Sequence, residues 1–558
     1  MLAAACLAAV SGRAQTEGEL GENGPSEAYE PGNPHPYFGS ENPWNRRMFG
    51  QRPADLFYKR RGQRQLLALL EGDAEQAANW ALVRLAADSA DQESWFMLAI
   101  ARAWQDLPDE AWSAAQHAMH AGLPFERFLS GPRELLQPLA ALPEFAALRD
   151  QLSPRLIHGP MLGDMGADHA QVWVRTVEAS KIEVEAVPLD GRSPVRRARF
   201  ETTAELDFSG TGRIEGLTPD TAYRYRVFVD GVLSSAGSEL NFRTFPSVNT
   251  PGIHRLAFGG CAGYTPLHEK IWDTIAASRP DALMMLGDNV YLDLPGEPND
   301  FHRYTYAQRQ SRPEFRRLVA GTPVYAIWDD HDAGMDDLWL GPYVDRPAWK
   351  QANLDFFLMN WSNPPVQDLA WPGLWHKWRI GAVEVFMLDA RSYRTNPYET
   401  SKTMLGPVQK RWLLEALRNS TATFKIIASP VNWVLGSKEG SRDTWQGFPE
   451  ERAELFDFLS AHHIEGVVLL SSDRHRSDVW INEREGDYPL TEFGSGYLTN
   501  MHTHDTAPDA LFSYNAKNAF GLLIIDTTKA DPELTCEIRN IDGEVVFTRV
   551  LKRSELAR

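Results

Sequence analysis

Residues 255–264, RLAFGGCAGY, residues 282–293, ALMMLGDNVYLD, and residues 322–332, TPVYAIWDDHD, repeat one pattern. Each is a short apolar run that stops abruptly on side chains able to hold a metal. The first stops at Cys261, the second at Asp288 with Tyr291 just beyond, and the third at Asp329, Asp330 and His331. A fourth run, residues 466–475, GVVLLSSDRH, ends on Asp473 and His475. Short apolar runs bounded by turn residues read as buried parallel strands. In an open α/β sheet, ligands collect outside the carboxyl ends of the strands. The four runs therefore describe one crevice lined with hard and soft metal ligands.

Working outward, strands and helices alternate from residue 253. Helical patterns occupy PLHEKIWDTIAAS, PEFRRLVAG, GPVQKRWLLEALRN and FPEERAELFDFLSAHH. AVEVFMLDA and FKIIASP read as further strands, and the segment after GDNVYLD reads as polar and irregular. This alternation suits a central sheet covered by helices, an α/β fold over residues 252–552. The chain closes on strands GLLIIDTT, LTCEIRN and EVVFTRVL, with Asp542–Gly543 as a turn. Leu534, Cys536 and Ile538 share a face, so Cys536 reads as a buried packing residue.

Upstream, residues 156–247 alternate with period two in AQVWVRT, KIEVEAV and AYRYRVFVDG, the pattern of a β-sandwich. GLTPDTAYRYRVFVDG is similar to the tyrosine-corner region of a fibronectin III-like domain. Residues 61–152 carry Ala and apolar positions at helical spacing. Trp95, Leu98, Ala99, Ala111 and Ala115 resemble a tetratricopeptide-like helix pair. Stable arrays need about three such units, so the region reads as a small helical cap on its neighbour or as a groove for a protein partner. Residues 16–60 are rich in Gly, Pro, Asn and Glu and read as a linker. Residues 1–15 hold a short apolar run before SGRAQ, like the end of a secretory signal peptide but without a basic start. That segment points to a secreted or periplasmic protein, with Cys6 removed, lipidated or retained.

The 558-residue chain has a formal net charge of −19. Nucleic acid and anionic membrane both select a basic face, so neither is expected as a main partner. Three cysteines exclude a disulfide framework. No apolar run approaches the ~20 residues of a membrane span.

A carboxylate at a strand end bridges two cations with its two oxygens, which suits Asp288. Tyr291 binds iron as a phenolate, and Cys261 is a soft ligand whose pKa falls beside a cation. Asp330, Asp473 and His475 complete a mixed S, O, N set. Such a mixture suits an oxygen-rich position for Ca²⁺ or Mg²⁺ beside a transition metal such as Fe. Two cations so placed hold a hydroxide and clamp a transferring phosphoryl group, with no protein nucleophile required. GSGY at 494–497 lacks the G-x-S-x-G spacing and reads as a turn. His502 and His504 in MHTHD read as solvent-exposed loop histidines, with loop ligands as the alternative.

The ordered set FGGCAGY, GDNVYLD, YAIWDDHDAGMDD, FMLDARSYR, LGPVQKRWL, DTWQGFPEER and SSDRHRSDVW resembles the PhoD-type alkaline phosphatases. These form a branch of the calcineurin-like metallophosphatase superfamily, and the likeness covers roughly residues 155–540. The resemblance implies a four-layered α/β/β/α domain holding Fe(III) and one or two Ca²⁺. It implies Cys261, Tyr291 and His475 as iron ligands, Asp288 as the bridge, and Asp330 and Asp473 on the calcium side. Asp329 and Asp389 become further ligands or supporting carboxylates. His331 takes the place of a general acid or phosphate donor, and Arg391 and Arg303 become phosphate clamps. The implied activity is metal-dependent phosphoester hydrolysis of small substrates at alkaline pH, on monoesters or diesters. A phospholipase D-like diesterase is the near alternative, and an interaction protein with an impaired phosphatase fold is the distant one. Three positions depart from the family: Gly260 stands where Ser is usual, Asp336 where Asn is usual, and Ser472 where Gly is usual. If residue 472 needs a positive φ, Ser strains the turn by about 1 kcal/mol.

Overall fold

The computed structural model describes residues 61–234 and 240–558. The candidate signal segment, the linker and Cys6 lie outside the described residues. No described helix is long and apolar enough to cross a membrane.

Residues 61–152 form helices that include Gln63–Leu70, Ala74–Ala87, Gln92–Trp104 and Pro108–His120. Asp73 and Asp91 start the second and third by accepting from the Gln76 and Ser94 amides. Pro108 opens the fourth, where no amide is needed. Small buried residues, Ala77, Ala81, Ala99, Ala111 and Ala115, let these helices approach closely. Their core also takes in Phe301 and Tyr304. Those two belong to helix Asp300–Gln310, which occupies part of the segment read as irregular and is capped by Asn299. Tyr304 Oη lies 2.8 Å from Glu93 Oε2 and 2.9 Å from Arg61 O. The helical region is thus built onto the α/β half of the chain.

Two sheets follow. Leu156–Gly163, His169–Thr176 and Ser209–Glu215 form the smaller. In the larger, Ser180–Pro188 lies between Arg196–Thr202 and Ala222–Val229, and Ala222–Val229 also pairs with Val232–Leu233 and Leu240–Arg243. Alternation turns Tyr223, Tyr225 and Val227 inward and Arg224 and Arg226 outward. Tyr223 Oη accepts from the Thr218 amide at 2.9 Å, closing the corner.

The half that carries residues 252–552 holds two mixed sheets. The first runs Val324–Ile327, Ala282–Leu286, Ile253–Gly259, Ala519–Asp526, Glu533–Asn540, Val545–Lys552. Its first three strands are parallel. The second runs His376–Ile380, Val383–Met387, Phe424–Ala428, Val467–Ser471, Leu490–Ser495, Ser477–Asn482, Phe512–Tyr514. Leu256, Phe258, Met284 and Leu286 of the first share one core with Val385, Ile426, Val468 and Leu470 of the second. Helices Gly406–Asn419 and Pro449–Ala461 bury Leu413, Leu417, Leu455 and Phe456 against that core. Helices Ile271–Ala277 and Pro313–Val319, which join strands of the first sheet, pack Trp272 on Phe315. Cys536 is fully buried between Leu534 and Ile538. The picture of a single sheet is corrected here: three ligand-bearing strands lie in the first sheet, and Val467–Ser471 lies in the second. The site sits where the carboxyl ends of the two sheets come together.

Candidate metal centre

The chain turns left-handed at the ligand positions. Cys261, Asp288, Asp473 and His475 have φ of 55°, 51°, 68° and 47°. Side-chain-bearing residues seldom take that conformation, and such strain collects at functional sites. The Cys261 amide donates to Gly287 O at 3.1 Å and the Ala262 amide to Asp288 O at 2.8 Å, which locks the first two loops together. Asp332 locks the third. Its carboxylate accepts from the amides of Asn289, Val290 and Asp329 at 3.2, 3.1 and 3.0 Å.

The side chains then converge. Cys261 Sγ is 3.5 Å from Asp288 Oδ2. Tyr291 Oη is 3.1 Å from the same oxygen and 3.2 Å from His475 Nε2. Cys261, Asp288 and His475 each place one donor atom within 4.8 Å of the others. Asp288, Asp330 and His331 do likewise, as do Asp330, Asp337 and Asp443. Asp288 is common to the first two groups, the position of a bridging carboxylate.

Cations fit these residues. Asp288 Oδ1 and Asp473 Oδ2 are buried and accept no hydrogen bond among the described residues. A buried acceptor left so costs about 1–3 kcal/mol, more when charged. Burial pushes the Cys261 thiol well above its usual range, and the charges of Asp288 and Asp473 add to this. Burial likewise raises Asp288; His331 opposes it, and Asp330, Asp329 and Asp332 reinforce it. Without counter-charge these groups keep their protons; a cation replaces the protons.

A family model described as PhoD-like phosphatase matches residues 256–520, a span that contains every one of these donors. Residues 256–520 are thus similar to the PhoD-like phosphatases. Alkaline phosphatase D of Bacillus subtilis (strain 168) is 23% identical over 408 residues, covering 61% of this chain and 68% of the relative. A solved structure of PhoD superposes with a TM-score of 0.57 at 20% identity, covering 70% of this chain and 88% of that one. The purple acid phosphatase PPD1 from yellow lupin (Lupinus luteus) seeds gives 0.53 at 14% identity, covering 72% and 76%. At these identities the structural likeness is one of fold. Residues 153–246 match a model described as a domain of unknown function (DUF7800).

Within residues 256–520, six sequence-derived metal residues, Cys261, Asp288, Tyr291, Asp330, Asp473 and His475, lie together. His331 joins them: its Nδ1 is 2.5 Å from Asp293 Oδ1 and its ring centroid lies 4.4 Å from that of Tyr291, the two planes tilted by 41°. Arg391 is a correction. Arg391 is fully buried, with Nε 2.5 Å from Asp329 Oδ1 and its Nη atoms 2.7 and 3.0 Å from the Asp443 carboxylate. Its fork is spent inside the protein and offers nothing to a phosphate. Arg303 pairs with Asp300 at 3.2 Å, one turn earlier on its own helix. Asp389 is no ligand either, because its oxygens accept from Trp328 Nε1, Leu374 N and Ser392. GSGY is not a surface turn: Gly494 and Ser495 end a buried strand. His502 is buried and His504 half-buried, both against His475.

Sequence reasoning passed over the supports. Asn289 Nδ2 reaches Ile327 O at 2.8 Å, and Asn500 Nδ2 donates to Tyr291 Oη at 2.8 Å. Asp293, Asp332 and Asp443 stood in the quoted motifs, as the last acids of GDNVYLD and WDDHD and the first residue of DTWQGFPEER, and those acids were the available signal. Asn500 had none, since it is brought in by a distant loop.

Proposed function

We propose that this chain hydrolyses phosphoesters with ferric iron and calcium as its cations. The carrying observation is the convergence of Cys261, Asp288, Tyr291 and His475 on one side of a shared carboxylate, with Asp330 and His331 on the other. Thiolate, phenolate and imidazole suit iron, and the carboxylate oxygens of Asp288 and Asp330 suit calcium. When bound, the cations supply the Lewis acidity that activates water and neutralises charge on a phosphoryl group.

The protein's own part is positioning and proton handling. Asp293 holds His331 through Nδ1, which leaves Nε2 to carry a proton to a departing alkoxide. That nitrogen is 3.8 Å from Asp336 Oδ1, whose side chain is 43% exposed, so it faces the mouth of the site. In place of Arg391, Arg474 is the better-placed phosphate contact. It lies between Asp473 and His475, with Nη1 3.8 Å from Asp473 Oδ2. The apolar leading segment supports a secreted or periplasmic location, which N-terminal sequencing of protein from fractionated cells tests.

The decisive experiment is elemental analysis with a visible spectrum of purified protein beside Cys261→Ala. Turnover of p-nitrophenyl phosphate and of bis-p-nitrophenyl phosphate is measured in parallel. Iron, calcium and a charge-transfer colour lost in the variant support the reading. A colourless protein holding two divalent ions, indifferent to Cys261, replaces it with an ordinary two-metal centre. Failure to turn over either ester with metals loaded refutes hydrolysis, and the ratio of the two rates separates monoesterase from diesterase.

A further inference from the structure

We propose that His502 and His504, together with His475, form a second metal position at the mouth of the site for a borderline divalent cation such as Zn²⁺ or Co²⁺. One ring nitrogen from each lies within 4.8 Å of the others. The ring centroids are 4.9 Å apart for His475–His502, 5.5 Å for His475–His504 and 4.7 Å for His502–His504. Nitrogens around a tetrahedral ion with bonds of about 2.0–2.1 Å stand about 3.4 Å apart. Small side-chain rotations close the set.

The loop that presents them is built rather than loose. Asn518 Nδ2 donates to Asn500 O at 2.9 Å, and the His502 amide donates to Asn500 Oδ1 at 3.3 Å. Thr503 Oγ1 donates to the carbonyl of His475 itself at 2.7 Å. Asn515 Nδ2 donates to His504 O at 2.9 Å. Thr503 is therefore strapped to the His475 backbone, which sets the histidines on either side of it against the His475 ring. The same loop's Asn500 donates to Tyr291 Oη, so the trio stands directly beside the buried centre.

The donors choose the ion. Two neutral imidazoles, with His475 as an imidazolate that has released its ring proton to solvent to bind through both nitrogens, favour zinc, cobalt or nickel over calcium. His475 serves both positions through different atoms. Its Nε2 faces Tyr291 Oη at 3.2 Å, on the side of the buried centre. Its Nδ1, 3.5 Å from Asn500 Nδ2, lies toward the loop and is the nitrogen for the second ion. His504, the half-buried member, gives this position access to solvent. A cation there adds positive charge at the mouth and makes ester binding respond to transition-metal concentration.

The test is equilibrium dialysis of the metal-loaded protein against Co²⁺. Bound cobalt is read by elemental analysis and by its visible ligand-field bands, independently of turnover. One Co²⁺ per chain beyond the buried centre is expected. His502→Ala with His504→Ala should weaken it at least tenfold, with iron content and thermal midpoint unchanged. If the double alanine variant does not fold, His502→Asn with His504→Asn takes its place. Extra Co²⁺ retained by the folded variant, or no extra Co²⁺ in the parent protein, overturns the proposal.

Discussion

A β-carbon on Gly260 would stand 2.1 Å from Ser472 Oγ, so a single hydroxyl fills the space between the Cys261 loop and the Asp473 loop. That hydroxyl lies 3.9 Å from Cys261 Sγ. The family pattern places serine at 260 and glycine at 472; here the two are exchanged, and each explains the other. The strain anticipated at Ser472 is absent, because the left-handed residues are Asp473 and His475. Gly260→Ser alone should overpack the loop and cost about 1–3 kcal/mol. Adding Ser472→Gly should recover part of the loss. Recovery stays partial because Gly287 O remains 2.7 Å from the new β-carbon. Thermal unfolding of the three variants measures the coupling, and strictly additive losses would disprove it.

Arg391 is expected to act on stability rather than on substrate affinity. Replacing it with Met leaves Asp329 and Asp443 buried without their main counter-charge, although Arg394 Nη1 still reaches Asp443 Oδ1 at 2.8 Å. Breaking such a buried pair costs about 3–5 kcal/mol. Denaturant unfolding should show that loss together with reduced metal content. A raised KM at unchanged stability would restore the phosphate-clamp role.

The helical region should be inseparable from activity. Gln63 Nε2 donates to Tyr291 O at 2.9 Å, and Tyr304 is fully buried beneath Glu93 and Arg127. Tyr304→Phe removes a hydroxyl shared by Glu93 and Arg61 O and should cost about 1–2 kcal/mol. Removing residues 61–152 exposes Phe301 and Tyr304 and should give aggregated or inactive protein. A soluble truncation with full turnover would show that the region serves a partner instead.

Acid should destabilise the fold through buried histidines. Burial lowers His302 and His376 from 6.5 to about 4. Burial, then Arg175, drives His158 down as well. A group whose folded pKa is depressed takes its proton preferentially in the unfolded chain. Stability is therefore complete above pH 6.5 and falls as pH drops from there toward 4. At pH 5 each of His302 and His376 costs about 2 kcal/mol. His376→Asn, which keeps a donor for Leu374 O, should flatten the decline in thermal midpoint between pH 6.5 and 5. An unchanged slope would contradict the assignment.

The candidate donors were legible because strand and chemistry occupy one short stretch: an apolar run, then Cys261, Asp288 and Tyr291, Asp330 and His331, or Asp473 and His475. Period and residue type are local properties, and a linear reading finds them. Arg391 was misread because an arginine in a motif has the same spelling whether it meets a phosphate or a carboxylate. Only the arrival of Asp443 and Asp329 shows that the Arg391 fork is already occupied. His502 and His504 were misread for the converse reason: their loop looks polar and exposed until Asn518, Asn515 and Thr503 tie it against His475.

By itself the sequence determined the α/β alternation, the donor set and the metal chemistry those donors allow. The tertiary structure alone decided that the ligand strands divide between two sheets, that Asp288 is shared by two groups, and that the hydroxyl of Ser472 occupies the room Gly260 leaves. It also decided that the N-terminal helices rest on Phe301 and Tyr304. These outcomes depend on which distant surfaces bury each other, and burial is a property of packing in three dimensions that no local pattern encodes.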